Sequence, residues 1–299
     1  MTLNSIRYRK IFYAISLLGV VLSVFAISFW GLRLGIDFQG GTLMEIHFSK
    51  EFSKEDIYNN VSSVAESVLV QPGNDNVFIV RYLAGDETIN EKVREKLTEM
   101  DAENKIIRTD FFGSSVSKEL TRKAIEATIV AIFLVAIFIA IAFRKVSRPL
   151  SSWQYGVGAM IALMHDIIIT IGIFAILGEF YTIEVGIPFI AAILTILGYS
   201  VNDTIVVYDR IRENLLRHGM KESFENIINR SINETVARSI NTSMTVLVVL
   251  FAIILLGGTS IQSFALALFI GVFAGTYSSI FVASALLVTS YHFQKKYTK

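Results

Sequence analysis

The pattern of apolar and polar positions divides this 299-residue chain into two kinds of segment. Six long runs are almost wholly apolar: Ile11–Trp30, Ala124–Phe143, Tyr155–Leu177, Val185–Tyr208, Thr242–Leu256 and Ile261–Tyr291. A helix needs ~20 apolar residues to cross ~30 Å of hydrocarbon, so each run predicts a transmembrane helix. The fifth run is short and is expected to extend back to residue 239, beside Arg238; the sixth is long enough to tilt or protrude. Between the first two runs the pattern shortens. Thr42–Phe48 alternates in the strand period, and Val77–Leu83 and Lys105–Phe111 are further strand candidates. Ser53 followed by Asp56 predicts a capping box, opening a helix with Ile57, Val61, Val64 and Val68 on one face. A second helix, from about Thr88 to Met100, carries Ile89, Val93 and Leu97. The resulting β-α-β-α-β order predicts a small α+β, ferredoxin-like domain over residues 31–119.

Composition supports a membrane protein. Apolar residues make up 53% and charged ones only 18%, against about 25% charged in soluble domains, and mean hydropathy is +0.55. The net charge of +1 argues against a nucleic-acid partner. With no cysteine, disulfides, thiolate metal sites and a cysteine nucleophile are excluded. The exported segment contains no Gly-rich phosphate loop, clustered His or paired carboxylates, so it reads as a binding or docking module rather than a catalytic one.

Charge placement gives an orientation. Arg7, Arg9 and Lys10 precede the first run; Arg144, Lys145 and Arg148 lie between the second and third. Six basic residues lie from Arg210 to Arg238, and Lys295, Lys296 and Lys299 follow the sixth run. The short connections at 179–184 and 257–261 contain no Lys or Arg. The positive-inside rule therefore places residues 1–10, a loop over 209–238 and residues 292–299 in the cytoplasm and exports 31–119, which has 10 basic and 16 acidic side chains. The first run exceeds the ~7–15 residues of a signal-peptide core and is not followed by a small-residue cleavage site, so it reads as an uncleaved anchor.

Ionisable groups inside spans are costly and carry functional hypotheses. His165 and Asp166 lie in the third run, and Asp203 lies beside Asn202 in the fourth. Asp203 sits six residues before Asp209-Arg210, about 9 Å inside at ~1.5 Å per residue. A carboxylate so placed could exchange an ion between the two sides, with Arg238 as a counter-charge. The alternative is that Asp166 and Asp203 are packing groups hydrogen-bonded to His165 and Asn202. Glu126 can reach the interface and reads as structural. No second His or Cys accompanies His165 to form a metal site. Gly271-x-x-x-Gly275 predicts close helix contact. Gly35-Ile36-Asp37-Phe38-Gln39-Gly40-Gly41, where the first helix leaves the membrane, reads as a tight turn in which Asp37 binds nearby backbone amides.

The run Gly198-Tyr199-Ser200-Val201-Asn202-Asp203-Thr204-Ile205-Val206-Val207-Tyr208-Asp209-Arg210-Ile211-Arg212-Glu213-Asn214 closely resembles the fourth-helix signature of the SecF family of protein-export membrane proteins. Gly35–Gly41 resembles that family's motif after helix 1, Leu163-Met164-His165-Asp166 its third-helix motif, and Asn233-Glu234-Thr235 with Arg238 and Asn241-Thr242 a further one. The resemblance covers essentially the whole chain. Gln39 and Tyr208 stand at positions expected to vary. A single exported domain matches a separate SecF chain rather than a fusion with SecD. The resemblance implies half of a resistance-nodulation-division (RND) architecture in a bacterial or archaeal cytoplasmic (inner) membrane. It further implies pairing with SecD, association with the SecYEG channel and often YajC, and use of a proton- or sodium-motive force to assist polypeptide export. On that resemblance Asp203 would carry the ion and Arg238 assist it, without cofactor, metal or enzymatic chemistry. The exported domain would help hold or release the emerging polypeptide, and Gly35, Asp37, Gly40 and Gly41 would set its angle to the membrane.

Three other classes compete. An intramembrane protease could use Asp166 with Asp203, or Ser200 with His165, but the expected Gly-x-Gly-Asp motif and a typical nucleophile loop are missing. An RND-type exporter of small molecules or lipids usually carries twice this complement of helices and exported domains. A structural scaffold predicts that Asp203→Asn is silent.

Overall fold

Apolar runs of this length become helices because hydrocarbon offers no partner to backbone N–H and C=O groups, which the helix satisfies internally. The computed structural model describes residues 4–73, 75–84, 87–143, 150–218 and 222–297. Arg144, Lys145, Arg148, Lys221 and Lys299, part of the orientation argument, lie outside these residues. The described residues contain six helices long and apolar enough to cross a membrane: Ser5–Phe29, Ser115–Ala142, Ser152–Tyr181, Ile187–Arg217, Phe224–Leu256 and Ile261–Lys296. The chain divides into two units, one of residues Met1–Arg33, Ala127–Ile183 and Pro188–Lys299, the other of Leu34–Glu126 and Glu184–Ile187.

In chain order, α1 (Arg9–Phe29) is followed by a one-turn α2 (Ile36–Gln39), then β1 (Gly41–His47), α3 (Lys54–Val61), β2 (Glu66–Pro72), β3 (Val77–Leu83), α4 (Glu87–Met100) and β4 (Lys105–Phe112). The four strands form one antiparallel sheet in the order β2-β3-β1-β4. Met44, Ile46, Val70, Phe78, Val80 and Tyr82 from the strands, with Phe48 just after β1, pack against Ile57, Val61, Val93 and Leu97 of the helices. The capping box is formed: Ser53 Oγ accepts from the Asp56 N–H at 3.2 Å, and Asp56 Oδ2 accepts from the Ser53 N–H at 3.1 Å. The Ser53 hydroxyl also donates to Asp56 Oδ2 at 2.7 Å, and this bond, with that from the Ser53 N–H, holds the Asp56 carboxyl below its usual range.

One expectation fails here. The first helix does not continue through Val64 and Val68 but ends at Val61, and residues 66–72 form a fourth strand. The order is therefore β-α-β-β-α-β, not β-α-β-α-β. Ser62 and Ser63 turn their hydroxyls back onto the carbonyls of Asn59 and Asn60, and Ser67 takes a left-handed φ of 53° at the bulge that starts β2. Val64 and Val68 still pack against the core, so burial alone did not distinguish helix from strand.

The remaining elements are helical: α5 (Ser114–Ala142), α6 (Ser152–Tyr181), α7 (Ile187–His218), α8 (Phe224–Leu256), α9 (Thr259–Tyr277) and α10 (Ser284–Tyr297). A π-helical turn, Ser278–Ala283, joins α9 to α10 within one continuous rod. The segment 209–238, expected as a loop, is largely the polar ends of α7 and α8. Ion pairs one turn apart support this helical end: Asp209–Arg212 at 2.5 Å, Arg210–Glu213 at 2.6 Å and Glu213–Arg217 at 2.5 Å.

Candidate functional site

The fourth-helix signature turns two polar side chains to one face of α7, because Ser200 and Asp203 are three residues apart. Asp203 is 8% exposed and Asp166 of α6 is fully buried. Ser239 of α8 donates its hydroxyl to Asp203 Oδ1 at 2.6 Å, and Ser279 of the π turn donates to Oδ2 at 2.6 Å. Asp166 Oδ2 accepts from Ser200 at 2.6 Å and from Ser278 at 2.7 Å, while His165 Nδ1 lies 2.9 Å from Oδ1. Successive serines of one turn thus serve two carboxylates on two different helices. Such π turns are rare and, where they occur, are frequent at functional sites.

Close helix approach makes this geometry possible. A Cβ on Gly271 would collide with the Ile196 side chain, and one on Gly275 would lie 3.2 Å from Ser200 Cβ and 3.5 Å from Asp166 Oδ2. The Gly-x-x-x-Gly spacing therefore sets α9 against α7. Buried carboxylates are normally paired with a cation. Among the described residues neither Asp166 nor Asp203 has a Lys or Arg partner. Hydroxyl donors stabilise a charge without neutralising it, so each group can exchange a proton or hold a small cation among oxygens. The described residues contain no cluster of three or more His, Cys, Asp or Glu suited to a metal.

The other sequence candidates fall elsewhere. Asn202 is exposed and does not bond Asp203; Arg238 is exposed and forms no ion pair with Asp203 among the described residues. Its neighbour Ser239 makes that contact instead. Glu126 is exposed, 3.7 Å from Arg122 and 3.5 Å from Lys123. No hydrogen bond joins the two carboxylates, or Ser200 to His165, among the described residues; neither protease arrangement is assembled. Toward the end of α7, Glu234 Oε2 accepts from Arg210 Nε at 2.6 Å and from Asn214 Nδ2 at 2.7 Å, tying the signature to α8. Ser239, Ser278 and Ser279 were not foreseen. Their one signal is small polar residues at four-residue spacing, as in Gly275…Ser279 and Ser239…Ser243.

The Gly35–Gly41 motif forms a second arrangement. Among the described residues Asp37 binds a distant amide rather than a nearby one: its Oδ2 accepts from the N–H of Ile187, 150 residues away, at 2.8 Å. The Gly35 N–H donates to Val185 O at 2.9 Å, Leu34 pairs with Val185 in a parallel bridge, and Arg81 forms an ion pair with Glu184. Gly41 has φ +126°, and a Cβ there would lie 2.5 Å from Tyr82 O, so only glycine fits.

The family model described as protein export membrane protein SecD/SecF, C-terminal, matches residues 92–292, and the SecD/SecF GG motif matches residues 25–51. The protein translocase subunit SecF of Thermobaculum terrenum is 40% identical, with 96% of this chain and 93% of that protein covered. The chain belongs to the SecF family. The SecF of Haemophilus influenzae is 39% identical to this SecF-family chain over 94% of its length and 83% of the relative's. The crystal structure of SecDF, a translocon-associated membrane protein from Thermus, matches with TM-score 0.83 and 31% identity, covering 97% of this chain. It covers 39% of that longer chain. A SecDF structure in a super-membrane-facing form matches with TM-score 0.72 and 33% identity, covering all of this chain and 40% of that one. The SecF family consists of translocase subunits, not enzymes.

Proposed function

We propose that this chain is the SecF half of a SecD–SecF complex that couples a proton- or sodium-motive force to polypeptide translocation through SecYEG, with YajC as a further associate. The observation that carries the reading is Asp203: a buried carboxylate within the family signature, held by two serine hydroxyls and, among the described residues, by no Lys or Arg. Moving one elementary charge through the membrane potential releases ~2.3 kcal/mol per 100 mV. Ion binding at Asp203 would spend that energy on rearranging α7 against α8 and the π turn. Arg238, one residue from the Asp203 ligand Ser239, would approach the carboxylate in another state of the cycle. The small sheet domain, whose β-α-β-β-α-β order is that of ferredoxin-like domains, would face the outside and hold or release the emerging chain. In this reading both termini are cytoplasmic, the inner membrane is the location, lipid surrounds the apolar helices, and the ion is the only cofactor.

Membrane vesicles containing the complex test the reading. With Asp203→Asn, gradient-stimulated export should fall to the level measured without a gradient while SecD association is retained. Stimulation that survives the substitution would make Asp203 a packing residue.

A further inference from the structure

We infer that Asp166 is a second proton-binding site, yoked to Asp203 through the consecutive hydroxyls of Ser278 and Ser279. The inference rests on the coupling role proposed for Asp203 and adds a site to it. Each serine of the π turn has two acceptors but one hydroxyl hydrogen. Ser279 Oγ lies 2.6 Å from Asp203 Oδ2 and 3.1 Å from Thr276 O. Ser278 Oγ lies 2.7 Å from Asp166 Oδ2 and 3.2 Å from Gly275 O. A charged carboxylate takes the hydroxyl hydrogen on the short bond. When the carboxylate gains a proton, it donates to the serine oxygen, and the serine hydrogen turns to the carbonyl three residues earlier. One proton enters, one hydrogen bond reverses, and no other bond is made or broken.

Because Ser278 and Ser279 are adjacent in one turn, reversal at one carboxylate bears on the geometry at the other. Ser200, which donates to Asp166, sits one helical turn from Asp203 and supplies a second link along α7. The site also has an unpartnered ring nitrogen among the described residues. His165 uses Nδ1 on Asp166, and its buried Nε2 has no hydrogen-bond partner among the described residues. The titratable groups around the pair are His165 on α6, Tyr199 and Tyr208 on α7, and Tyr277 on α9. Tyr277 stacks on the His165 ring at 6.2 Å, Tyr199 donates to Ser243, and Tyr208 donates to Ala283 O. Arg238 on α8 is exposed.

The test is pH-difference infrared spectroscopy of the full chain with its SecD partner in liposomes, following the carboxylic C=O band. Asp203→Asn should leave a titrating band that the Asp203→Asn/Asp166→Asn pair lacks. Ser278→Ala, which removes one hydroxyl and leaves both carboxylates, should move that band's midpoint by about one pH unit, a tenfold change in proton affinity. Ser279→Ala, read in the otherwise unaltered chain, should move the midpoints of both carboxylates. A band that does not titrate in Asp203→Asn, or a midpoint unmoved by Ser278→Ala, overturns the inference. These spectra are independent of export. If Asp203→Asn leaves gradient-driven export intact, the coupling reading fails while the band assignment still stands or falls by itself.

Discussion

Asn90 offers a quantitative test of the small sheet domain. Its Oδ1 accepts from Thr42 Oγ1 at 2.6 Å and from the Tyr82 hydroxyl at 2.9 Å, and its Nδ2 donates to Glu87 at 3.0 Å. Thr42, Tyr82 and Asn90 are each at most 1% exposed, and burial pushes the Tyr82 phenol above its usual range. In Asn90→Ala both hydroxyls lose their oxygen acceptor out of reach of water, and the Tyr82 hydroxyl keeps only the weak acceptor Met44 Sδ at 3.5 Å. An orphaned buried donor costs about 1–3 kcal/mol, so the pair costs about 2–6 kcal/mol. Tyr82→Phe removes only one neutral bond, since Asn90 keeps Thr42, and should cost about 1 kcal/mol. Combining Tyr82→Phe with Asn90→Ala should be less damaging than the sum, because the phenol is no longer there to be orphaned. Native-state hydrogen exchange of the β1 and β3 amides in the full chain reads these differences. At 1.4 kcal/mol per tenfold, Asn90→Ala should lower protection by about 30-fold to about 10⁴-fold. A loss below tenfold, or a Tyr82→Phe effect equal to that of Asn90→Ala, would refute the accounting.

Further outcomes follow from other contacts. Asp37→Ala removes the acceptor at the first turn of α7; at about 0.5–2 kcal/mol for such a cap, the Ile187 amide should exchange about 2- to 30-fold faster. Gly271→Ala should destabilise the helical unit by about 1–3 kcal/mol, and Gly275→Ala by less, since the Gly271 site is tighter; melting in detergent ranks them. Burial works to raise the Asp101 carboxyl, but bonds from the Ser49 hydroxyl and N–H and the Glu103 N–H outweigh it and hold the group below its usual range. A lowered value means that its stabilisation is complete above the ordinary value of about 3.9 and is lost as pH falls through the lower one. Protection of the Ser49 amide should therefore fall in strong acid, and Asp101→Asn should abolish that dependence.

The spanning helices were legible because run length and polarity are local properties of the sequence. The second strand was not, because Val64 and Val68 fit a helical stripe and also fill the core as observed. Only Ser62 and Ser63, which bond back to local carbonyls, and Ser67, with its left-handed φ, decide between the two. The polar helix ends over 209–238 were missed because charge was read as a loop signal, while ion pairs at helical spacing stabilise those turns. In the site, Asp166 and Asp203 stood out as charges within apolar runs. Their donors did not, since a serine in a membrane helix can equally bond its own backbone, and nothing local announces a π turn. Asp37 was legible as a turn residue, but its partner 150 residues away was not.

That distant partner has a consequence for biogenesis. The four strands are complete once residue 112 has been made, yet Val185 and Ile187, which close the junction at Gly35 and Asp37, come about 75 residues later (187 − 112). At ~5–20 residues per second of synthesis, the interval is about 4–15 s. During that time the sheet can fold while its root stays open. The chain segment for the third span must be delivered before the root is locked. The glycine motif is thus a latch that can close only after the third span has been made, well after the last strand.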